Sequence, residues 1–164
     1  MDNPLISIVL CTYNGAKYLD AQMQSLLNQT YQNIEIIISD DCSTDATIGL
    51  LQKYTENTSV HLYINSENIG YSKNFEKALL LAKGEFICFC DQDDIWLPNK
   101  VEKTLAFFEQ NPTAEAVFSN AEIIDEVGET QYGMTLWDII GFPYGKVELT
   151  DFETRVDNVV TGAG

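Results

Sequence analysis

The chain has 164 residues, of which 45% are hydrophobic and 21% charged, as expected for one soluble globular domain with a buried core. Its 25 acidic residues outnumber the 9 basic ones, and the net charge of −16 argues against nucleic acid as a partner. No apolar run approaches the roughly 20 residues of a membrane span. The four cysteines form no CxxC pair, and the first residues resemble no secretory signal, so we expect a cytoplasmic protein with reduced thiols.

Strand-like and helix-like segments alternate along the chain. The predicted strands are short apolar runs at residues 5–11, 34–38, 60–64, 85–90 and 116–120, with a further one at 123–124 that enters a turn at 126–129. The predicted helices lie between them and carry apolar residues at helical spacing, namely Leu19, Met23, Leu26 and Leu27, then Ile48, Leu51 and Tyr54, then Phe75, Ala78, Leu79 and Ala82, and finally Val101, Leu105 and Phe108. This order predicts an α/β fold with a mostly parallel sheet flanked by helices on both faces.

Residue-level signals set the expected ends of these elements. Ser43-Thr44-Asp45 supplies cap residues for the second helix, Gly84 ends the third, and Pro98 fits the first position of the fourth. Residues 130–144 contain apolar side chains broken up by glycines and a proline, which favours a structured loop or short helix over the ligand crevice. The apolar run that ends at Gly164 is typical of a chain that stops inside a domain.

Three predicted strand ends are polar: Thr12-Tyr13-Asn14, Asp40-Asp41 and Asp91-Gln92-Asp93. Ligands of open parallel sheets bind beyond the carboxyl ends of the strands, so these three segments are expected to meet at one crevice. Tyr13 is suited to stack on a planar base, although a tyrosine packed at the sheet edge would read the same way in sequence.

The strongest chemical signal is the run of carboxylates at Asp91, Asp93 and Asp94. Such close like charges repel each other and favour a cation, and oxygen ligands of this kind suit Mg²⁺ or Mn²⁺. Asp91 and Asp93 lie two residues apart and point the same way in an extended segment. The alternative interpretation is that Asp93 or Asp94 caps the following helix.

The acidic pair at the second strand end has two interpretations as well. Strand alternation puts Asp40 and Asp41 on opposite faces, so that one carboxylate can reach a ligand while the other serves the local turn. Asp41 is the better candidate for accepting hydrogen bonds from a base or ribose, and Asp40 the weaker one. Two phosphate-binding motifs are absent: no GxGxxG follows the first strand and no GxxxxGK[ST] occurs, which argues against a nicotinamide-binding domain and excludes a P-loop NTPase.

Four segments together resemble the family 2 glycosyltransferases of GT-A fold: SIVLCTYNG at 7–15, LNQTY at 27–31, IISDDCSTD at 37–45 and CDQDDIWLP at 90–98. The resemblance runs in order from about Ser7 to Phe118 and implies a Rossmann-like domain that binds a nucleotide-diphosphate sugar. The residue sequence of the last segment is most similar to that of a rhamnosyltransferase-type subgroup of bacterial surface-polysaccharide enzymes.

The resemblance also implies roles for individual residues. Thr12 and Tyr13 would lie against the base, with Asp41 as the base- and ribose-binding acid and Asp40 beside it. Asp91-Gln92-Asp93 is similar to the family's DxD motif, with Asp93 as metal ligand to the diphosphate and Asp91 towards the ribose or a metal-bound water. The donor would be of UDP or dTDP type, the metal Mg²⁺ or Mn²⁺, and the acceptor a saccharide or lipid-linked sugar, with a peripheral place at the inner face of the membrane as one expected location.

The resemblance implies an inverting transfer, in which a carboxylate deprotonates the acceptor. That base is not identified in the sequence, and Asp151, Glu153 and Asp157 are candidates by position only. We expect one domain over 1–164, with the donor-binding half at 1–120 and the start of the acceptor side at 121–164. Two other functions stay open: a HAD-like Mg²⁺-dependent phosphotransferase, whose acidic pair should follow the first strand, and a non-catalytic nucleotide-sugar-binding module.

Overall fold

The computed structural model describes residues 3–141. The chain divides into two compact units, Met1–Ala114 and Glu115–Gly164. The predicted truncation and the three candidate bases fall outside the described residues. The functional division into 1–120 and 121–164 stays a prediction.

The first unit alternates strands and helices, as the sequence predicts. Its elements are β1 (Ile6–Thr12), α1 (Leu19–Leu27), β2 (Ile34–Asp40), α2 (Thr47–Tyr54), β3 (Val60–Ile64), α3 (Tyr71–Leu79), β4 (Phe86–Cys90) and α4 (Lys100–Gln110). The four strands form one parallel sheet in the order β3-β2-β1-β4. Parallel neighbours need a crossover, and the intervening helices supply it.

The helices cover both faces of the sheet, which confirms the predicted α/β architecture. One core joins alternate residues of β1 and β2 to α1, α2 and α4, including Ile8, Leu10 and Met23, all fully buried. The opposite face carries a smaller cluster in which Val9 and Ile37 pack with Ala78 of α3. Because side chains alternate across a strand, the continuous apolar run of β1 feeds both cores.

A buried polar group lies at the amino end of the sheet. Ser7 and Glu35 are register partners on β1 and β2, and Ser7 Oγ donates to Glu35 Oε1 at 2.6 Å. The same carboxylate oxygen accepts the Lys83 N–H at 2.7 Å, and Ser7 Oγ accepts the Gly84 N–H at 2.8 Å. A Cβ atom on Gly84 would lie 2.5 Å from Ser7 N, so glycine is required there by close backbone approach.

Two predicted boundaries are wrong, and a third is confirmed in part. Gly84 does not end α3, which stops at Leu79; it serves the close approach to β1 instead. Pro98 lies two residues before α4, where its carbonyl oxygen accepts the Thr30 N–H at 2.7 Å. The residue before α2 is Ala46, which makes no side-chain cap, although Asp45 Oδ1 does accept the Thr47 N–H at 2.9 Å.

The second unit is a short hairpin followed by a helix. Its elements are β5 (Glu122–Ile124), β6 (Thr130–Thr135) and α5 (Leu136–Ile140), and the two strands are antiparallel. Thr135 and Asp138 form a reciprocal capping box at the start of α5, and Gly141 ends the helix in a left-handed conformation. The predicted strand and turn at 123–129 are confirmed. Within 130–144 a short helix is present at Leu136–Ile140, but Thr130–Thr135 forms strand β6, which was not predicted, and the placement of this segment over the crevice stays a prediction.

The predicted strand at 116–120 is wrong. The structure has no strand there, and Phe118 is 55% exposed. A strand forms only where another backbone pairs with it, and no described strand pairs with this run. Asn120 instead uses its side-chain oxygen to accept the N–H groups of Ala121 and Trp137 at 2.9 and 3.1 Å.

Candidate functional site

The sheet order brings the three polar strand ends to one edge. β1 lies between β2 and β4, with Thr12 opposite Asp40 and Leu10 opposite Cys90. The segments that follow these strands therefore share the carboxyl edge of the sheet, where open α/β folds bind ligands. This convergence was predicted from the sequence, and the structure confirms it.

The loop after β1 is held by a series of side chains. We call residues 13–16 the amide loop, because each of its four backbone N–H groups donates to a different side chain. The bonds run from Tyr13 to Gln92 Oε1 at 2.9 Å, from Asn14 to Ser43 Oγ at 2.8 Å, from Gly15 to Thr47 Oγ1 at 2.9 Å and from Ala16 to Asp45 Oδ2 at 3.3 Å. The backbone is thus fixed while the Tyr13 side chain stays 46% exposed.

Asp40 is fully buried and serves the turn after β2. Its Oδ1 accepts the Ser43 N–H at 2.8 Å, while Oδ2 accepts the hydroxyls of Thr12 and Ser43 at 2.8 and 2.6 Å. Thr12 is 2% exposed and is committed to this contact. Contacts of Asp40 and Thr12 with a donor stay predictions, and the bonds described place both residues behind the amide loop.

Asp41 faces the opposite way and holds the segment that leads into α3. Its Oδ1 accepts Asn65 Nδ2 and the Ile69 N–H at 2.8 and 2.9 Å, and its Oδ2 accepts the Gly70 N–H at 2.9 Å. Burial by itself raises the pKa of Asp41, but these hydrogen bonds and the charge of Lys77 outweigh it and hold the pKa below 3.8. A carboxylate has about four acceptor positions, so one on Oδ2 remains for a ligand.

A polar network packs behind Asp41. Asn65 Nδ2 also donates to Asn74 Oδ1 at 2.9 Å, Ser39 Oγ donates to the same oxygen at 2.7 Å, and Lys77 Nζ donates to Asn65 Oδ1 at 2.5 Å. Asn74 Nδ2 in turn donates to the Ser39 carbonyl oxygen at 2.8 Å. Buried polar groups satisfied in this way hold one geometry, so the network fixes the position of the Asp41 carboxylate.

We call Asp91-Gln92-Asp93, which follows β4, the acidic triplet. Its first residue, Asp91, is exposed and is held through its backbone. The buried Gln22 side chain donates from Nε2 to the Asp91 carbonyl oxygen and, at 2.8 Å, to Cys90 Sγ. The Tyr71 hydroxyl donates to Asp91 Oδ1 at 3.2 Å. Desolvation of the hydroxyl and the Asp91 charge raise the pKa of Tyr71 to about 12, so it stays a neutral donor.

The other two acids of this segment are exposed. No residue among 3–141 donates a hydrogen bond to the carboxylate of Asp93. The interpretation of Asp93 or Asp94 as a helix cap is wrong: the residue before α4 is Asn99, without a side-chain cap, and the Val101 N–H bonds Gln29 Oε1 at 3.1 Å.

The carboxylates at this edge act on one another through space. Burial, together with the charges of Asp41 and Asp91, raises the pKa of the Cys11 thiol to about 12. The charges of Asp41 and Asp91 therefore act on the Cys11 thiol near the end of β1. Cys11 stays a neutral thiol, which fits the predicted reduced cysteines, and all four cysteines are free.

The triplet fits a divalent cation only together with a ligand. Among the described residues, no three His, Cys, Asp or Glu side chains are grouped closely enough to hold a metal by themselves. Asp91 and Asp93 offer exposed carboxylate oxygens, and Mg²⁺ is commonly bound by one or two carboxylates plus substrate phosphates. The donor set fits that arrangement and does not fit a cage made of protein ligands alone.

Several residues of the site were not predicted. Gln92, Tyr71, Asn65 and Gln22 all contact the segments above, yet each looks ordinary in the sequence. The one signal for Gln92 is its position between two acids at a strand end. The others come from neighbouring helices and loops, and their direction depends on tertiary packing.

Strand order and site together define an α/β domain of the GT-A class, with its crevice at the carboxyl edge of β1, β2 and β4. Residues 7–160 match the protein family described as "Glycosyl transferase family 2". The chain belongs to this family. The acidic triplet follows β4 and not β1, and the comparisons do not favour the phosphotransferase alternative.

The relatives of this chain include two bacterial proteins whose names describe them as sugar transferases. The chain is 38% identical over 112 residues to "Putative teichuronic acid biosynthesis glycosyltransferase TuaG" of Bacillus subtilis, which covers 68% of the chain and 44% of the relative. It is 34% identical over 125 residues to "UDP-Glc:alpha-D-GlcNAc-diphosphoundecaprenol beta-1,3-glucosyltransferase WfgD" of Escherichia coli, covering 76% and 49%. The chain thus spans less than half the length of these relatives.

Solved structures show the same fold. Staphylococcus aureus TarS 1-349 in complex with UDP-GlcNAc is 27% identical, with a TM-score of 0.62 over 73% of this chain and 40% of that one. The mannosyltransferase PcManGT from Pyrobaculum calidifontis, in complex with GDP-Man and Mn²⁺, is 23% identical with a TM-score of 0.59 over 74% and 36%. The second likeness shows the fold alone.

No described helix is long and apolar enough to cross a membrane.

Proposed function

We propose that this protein is an inverting glycosyltransferase, which moves a sugar from a UDP- or dTDP-type donor to a saccharide or lipid-linked acceptor. The observation that carries the proposal is the meeting of the amide loop, Asp41 and the acidic triplet at one sheet edge. Family membership and the UDP-GlcNAc complex of TarS support the donor class. The names of TuaG and WfgD support a role in bacterial surface-polysaccharide synthesis.

The donor would lie across the crevice with its base near β1 and β2. Tyr13 presents an exposed ring on a fixed backbone, and aromatic stacking on a base is worth about 1–3 kcal/mol. Asp41 has an acceptor position left on Oδ2 for a base N–H or a ribose hydroxyl. The buried hydrogen bond between Thr12 and Asp40 joins the ends of β1 and β2, from which Tyr13 and Asp41 follow.

The diphosphate would lie at the acidic triplet. Asp93 and Asp91 would hold Mg²⁺ or Mn²⁺ there, with Asp91 also directed to the ribose. When bound, the metal neutralises charge on the leaving diphosphate. Gln22 and Tyr71 hold Asp91 at this edge.

The acceptor hydroxyl attacks the sugar carbon from the side opposite the diphosphate, which inverts the configuration. A carboxylate must take its proton as it attacks. Asp151, Glu153 and Asp157 remain candidates by position only, and all three lie outside the described residues. We place the protein in the cytoplasm, at the inner face of the membrane when the acceptor is lipid-linked.

Calorimetric titration with UDP, with and without Mn²⁺, tests the donor and metal assignments together. We expect binding that depends on Mn²⁺ and that Asp93→Asn weakens by at least about tenfold, which is 1.4 kcal/mol. Asp94→Asn is the matched control, since it removes the same charge from the same loop. We expect it to retain affinity within about threefold.

Undiminished UDP binding by Asp93→Asn would overturn the metal assignment, and equal losses in both variants would overturn the choice of Asp93. Absence of any UDP, dTDP or GDP binding by the wild-type chain would overturn the proposed donor class. Release of phosphate from a phosphomonoester, blocked by Asp93→Asn, would restore the phosphotransferase interpretation.

A further inference from the structure

Gln92 stands between the two acids of the triplet, and its side chain turns back towards the amide loop. The Tyr13 N–H donates to Gln92 Oε1 at 2.9 Å, and Gln92 Nε2 donates to the Tyr13 carbonyl oxygen at 3.3 Å. One side chain thus holds both polar groups of a backbone residue that is 79 positions away. No other hydrogen bond among residues 3–141 joins the Tyr13 backbone to Asp91-Gln92-Asp93.

The residue type matters for this contact. A primary amide offers a donor and an acceptor without charge, which the two groups of Tyr13 both require. Glutamate would keep the acceptor, lose the donor and add a third negative charge between Asp91 and Asp93. Asparagine is one methylene shorter and cannot span the same distance with the backbone unchanged.

Gly15 gives an independent sign that the amide occupies a defined place. A Cβ atom at Gly15 would lie 2.4 Å from Gln92 Oε1 and 2.8 Å from Gln92 Cδ, closer than real Cβ contacts come. The backbone of Gly15 is not in the left-handed region, so its φ does not require glycine. A side chain at position 15 would instead displace the far end of the Gln92 side chain, because its Cβ atom would meet the Gln92 amide.

We infer that Gln92 is a positioning residue that sets the distance between the Tyr13 backbone and the Asp91 and Asp93 carboxylates, and thereby the span of nucleoside diphosphate that the crevice accepts. The inference rests on the proposed function, in which the base lies at Tyr13 and the diphosphate at the triplet. A ligand that contacts both ends gains affinity only when the two ends are already correctly spaced. A ligand that contacts one end does not depend on that spacing.

UDP and inorganic pyrophosphate, each titrated calorimetrically with Mg²⁺, separate the two cases. Gln92→Ala should weaken UDP binding about tenfold, because the Tyr13 backbone and the two carboxylates are then no longer held at the spacing that UDP requires. Pyrophosphate affinity should change by less than about threefold. Gln92→Glu should also weaken UDP binding, because a glutamate has no N–H to donate to the Tyr13 carbonyl oxygen.

A double-mutant cycle uses Gly15. Gly15→Ala should weaken UDP binding when Gln92 is present, because the new methyl group displaces the amide. In the Gln92→Ala background the same substitution should have little further effect, so the two changes are expected not to add. Additive losses, or equal losses for UDP and pyrophosphate, would overturn the inference.

Hydrogen exchange of the loop amides tests the contact without any ligand. Gln92→Ala should speed exchange of the Tyr13 amide and leave the Gly15 amide, which donates to Thr47, as slow as in wild type. Unchanged Tyr13 exchange would contradict the positioning role. If wild type bound no nucleotide, the proposed function would fail, while the exchange result would still decide whether Gln92 holds Tyr13.

Discussion

The two acidic sides of the crevice are built differently. Asp41 is 3% exposed and receives hydrogen bonds from Asn65, Ile69 and Gly70. Asp91 and Asp93 are exposed, and of the two only Asp91 receives a side-chain donor from the described residues, the Tyr71 hydroxyl. The protein fills three of the about four acceptor positions of Asp41, whereas it supplies no donor from the described residues to Asp93.

The difference separates the contribution to folding from the contribution to ligand binding among residues of one type. A buried carboxylate that accepts several protein donors stabilises the fold even where it also binds a ligand, and its removal leaves those donors without a partner. An exposed carboxylate contributes little to folding, so a cluster of them is better explained by what it binds. Stability measurements on the two sides therefore test this division before any activity is assayed.

The largest effect is expected for Asp41→Ala. It removes the common acceptor of three donors in a buried site, and we expect a loss of about 3 kcal/mol in the free energy of unfolding. Urea denaturation followed by circular dichroism measures it. Asp93→Ala is the matched control and should change the free energy of unfolding by less than about 0.5 kcal/mol. Similar losses in both variants would contradict the comparison.

A smaller loss is expected for Thr12→Val, which keeps the side-chain shape and removes the hydroxyl that donates to Asp40 at 2.8 Å. The bond is buried and its acceptor is charged, so we expect about 1.5 kcal/mol by the same denaturation experiment. Thr44→Val is the control, because Thr44 is exposed and its hydroxyl lies 3.4 Å from Asn14 Oδ1. A Thr12→Val protein as stable as wild type would show that Asp40 does not need this donor.

The smallest effect is a dependence on pH. The pKa of Asp41 is held below 3.8, so its ionised form stabilises the folded state above that pH and this contribution is lost as the pH falls through the lower, folded-state pKa. The stability difference between wild type and Asp41→Asn should therefore be largest near neutral pH and shrink in acid. The difference between wild type and Thr44→Val should stay flat over the same range. A gap that widens in acid would reverse the assigned sign.

The sequence predicts much of the architecture because the alternation of strands and helices follows from local pattern, whereas the order β3-β2-β1-β4 within the sheet was not predicted. Apolar runs such as Ile36-Ile37-Ile38 alternate with segments whose apolar residues recur at helical spacing, and few arrangements other than a parallel sheet accommodate this order. In such a sheet the polar strand ends meet at one edge. The strand predicted at 116–120 shows the limit, because pairing depends on a neighbour that the pattern does not contain.

The sequence singles out the acids of the candidate site together with Thr12 and Tyr13, but it does not single out the neutral side chains that hold them in place. Asp41 and the triplet stand out because carboxylates at strand ends are costly without a purpose. Gln92 and Asn65 matter through the direction of an amide, which is set by loops folding against each other. Residue type alone therefore indicates where we expect a ligand to bind, whereas the side chains that hold the binding groups in place follow only from the tertiary structure.

The polar group at the opposite end of the sheet has a separate consequence. A slip of one residue between β1 and β2 would exchange every side chain between the two faces and carry Glu35 away from Ser7 and the Lys83 N–H. The apolar residues of both strands are nearly interchangeable, so hydrophobic packing alone would penalise that slip weakly. The buried hydrogen bond between Ser7 and Glu35 is lost when the register shifts, which makes the misaligned sheet costly. The pair therefore fixes the register of β1 and β2, and with it the residues that lie at the crevice.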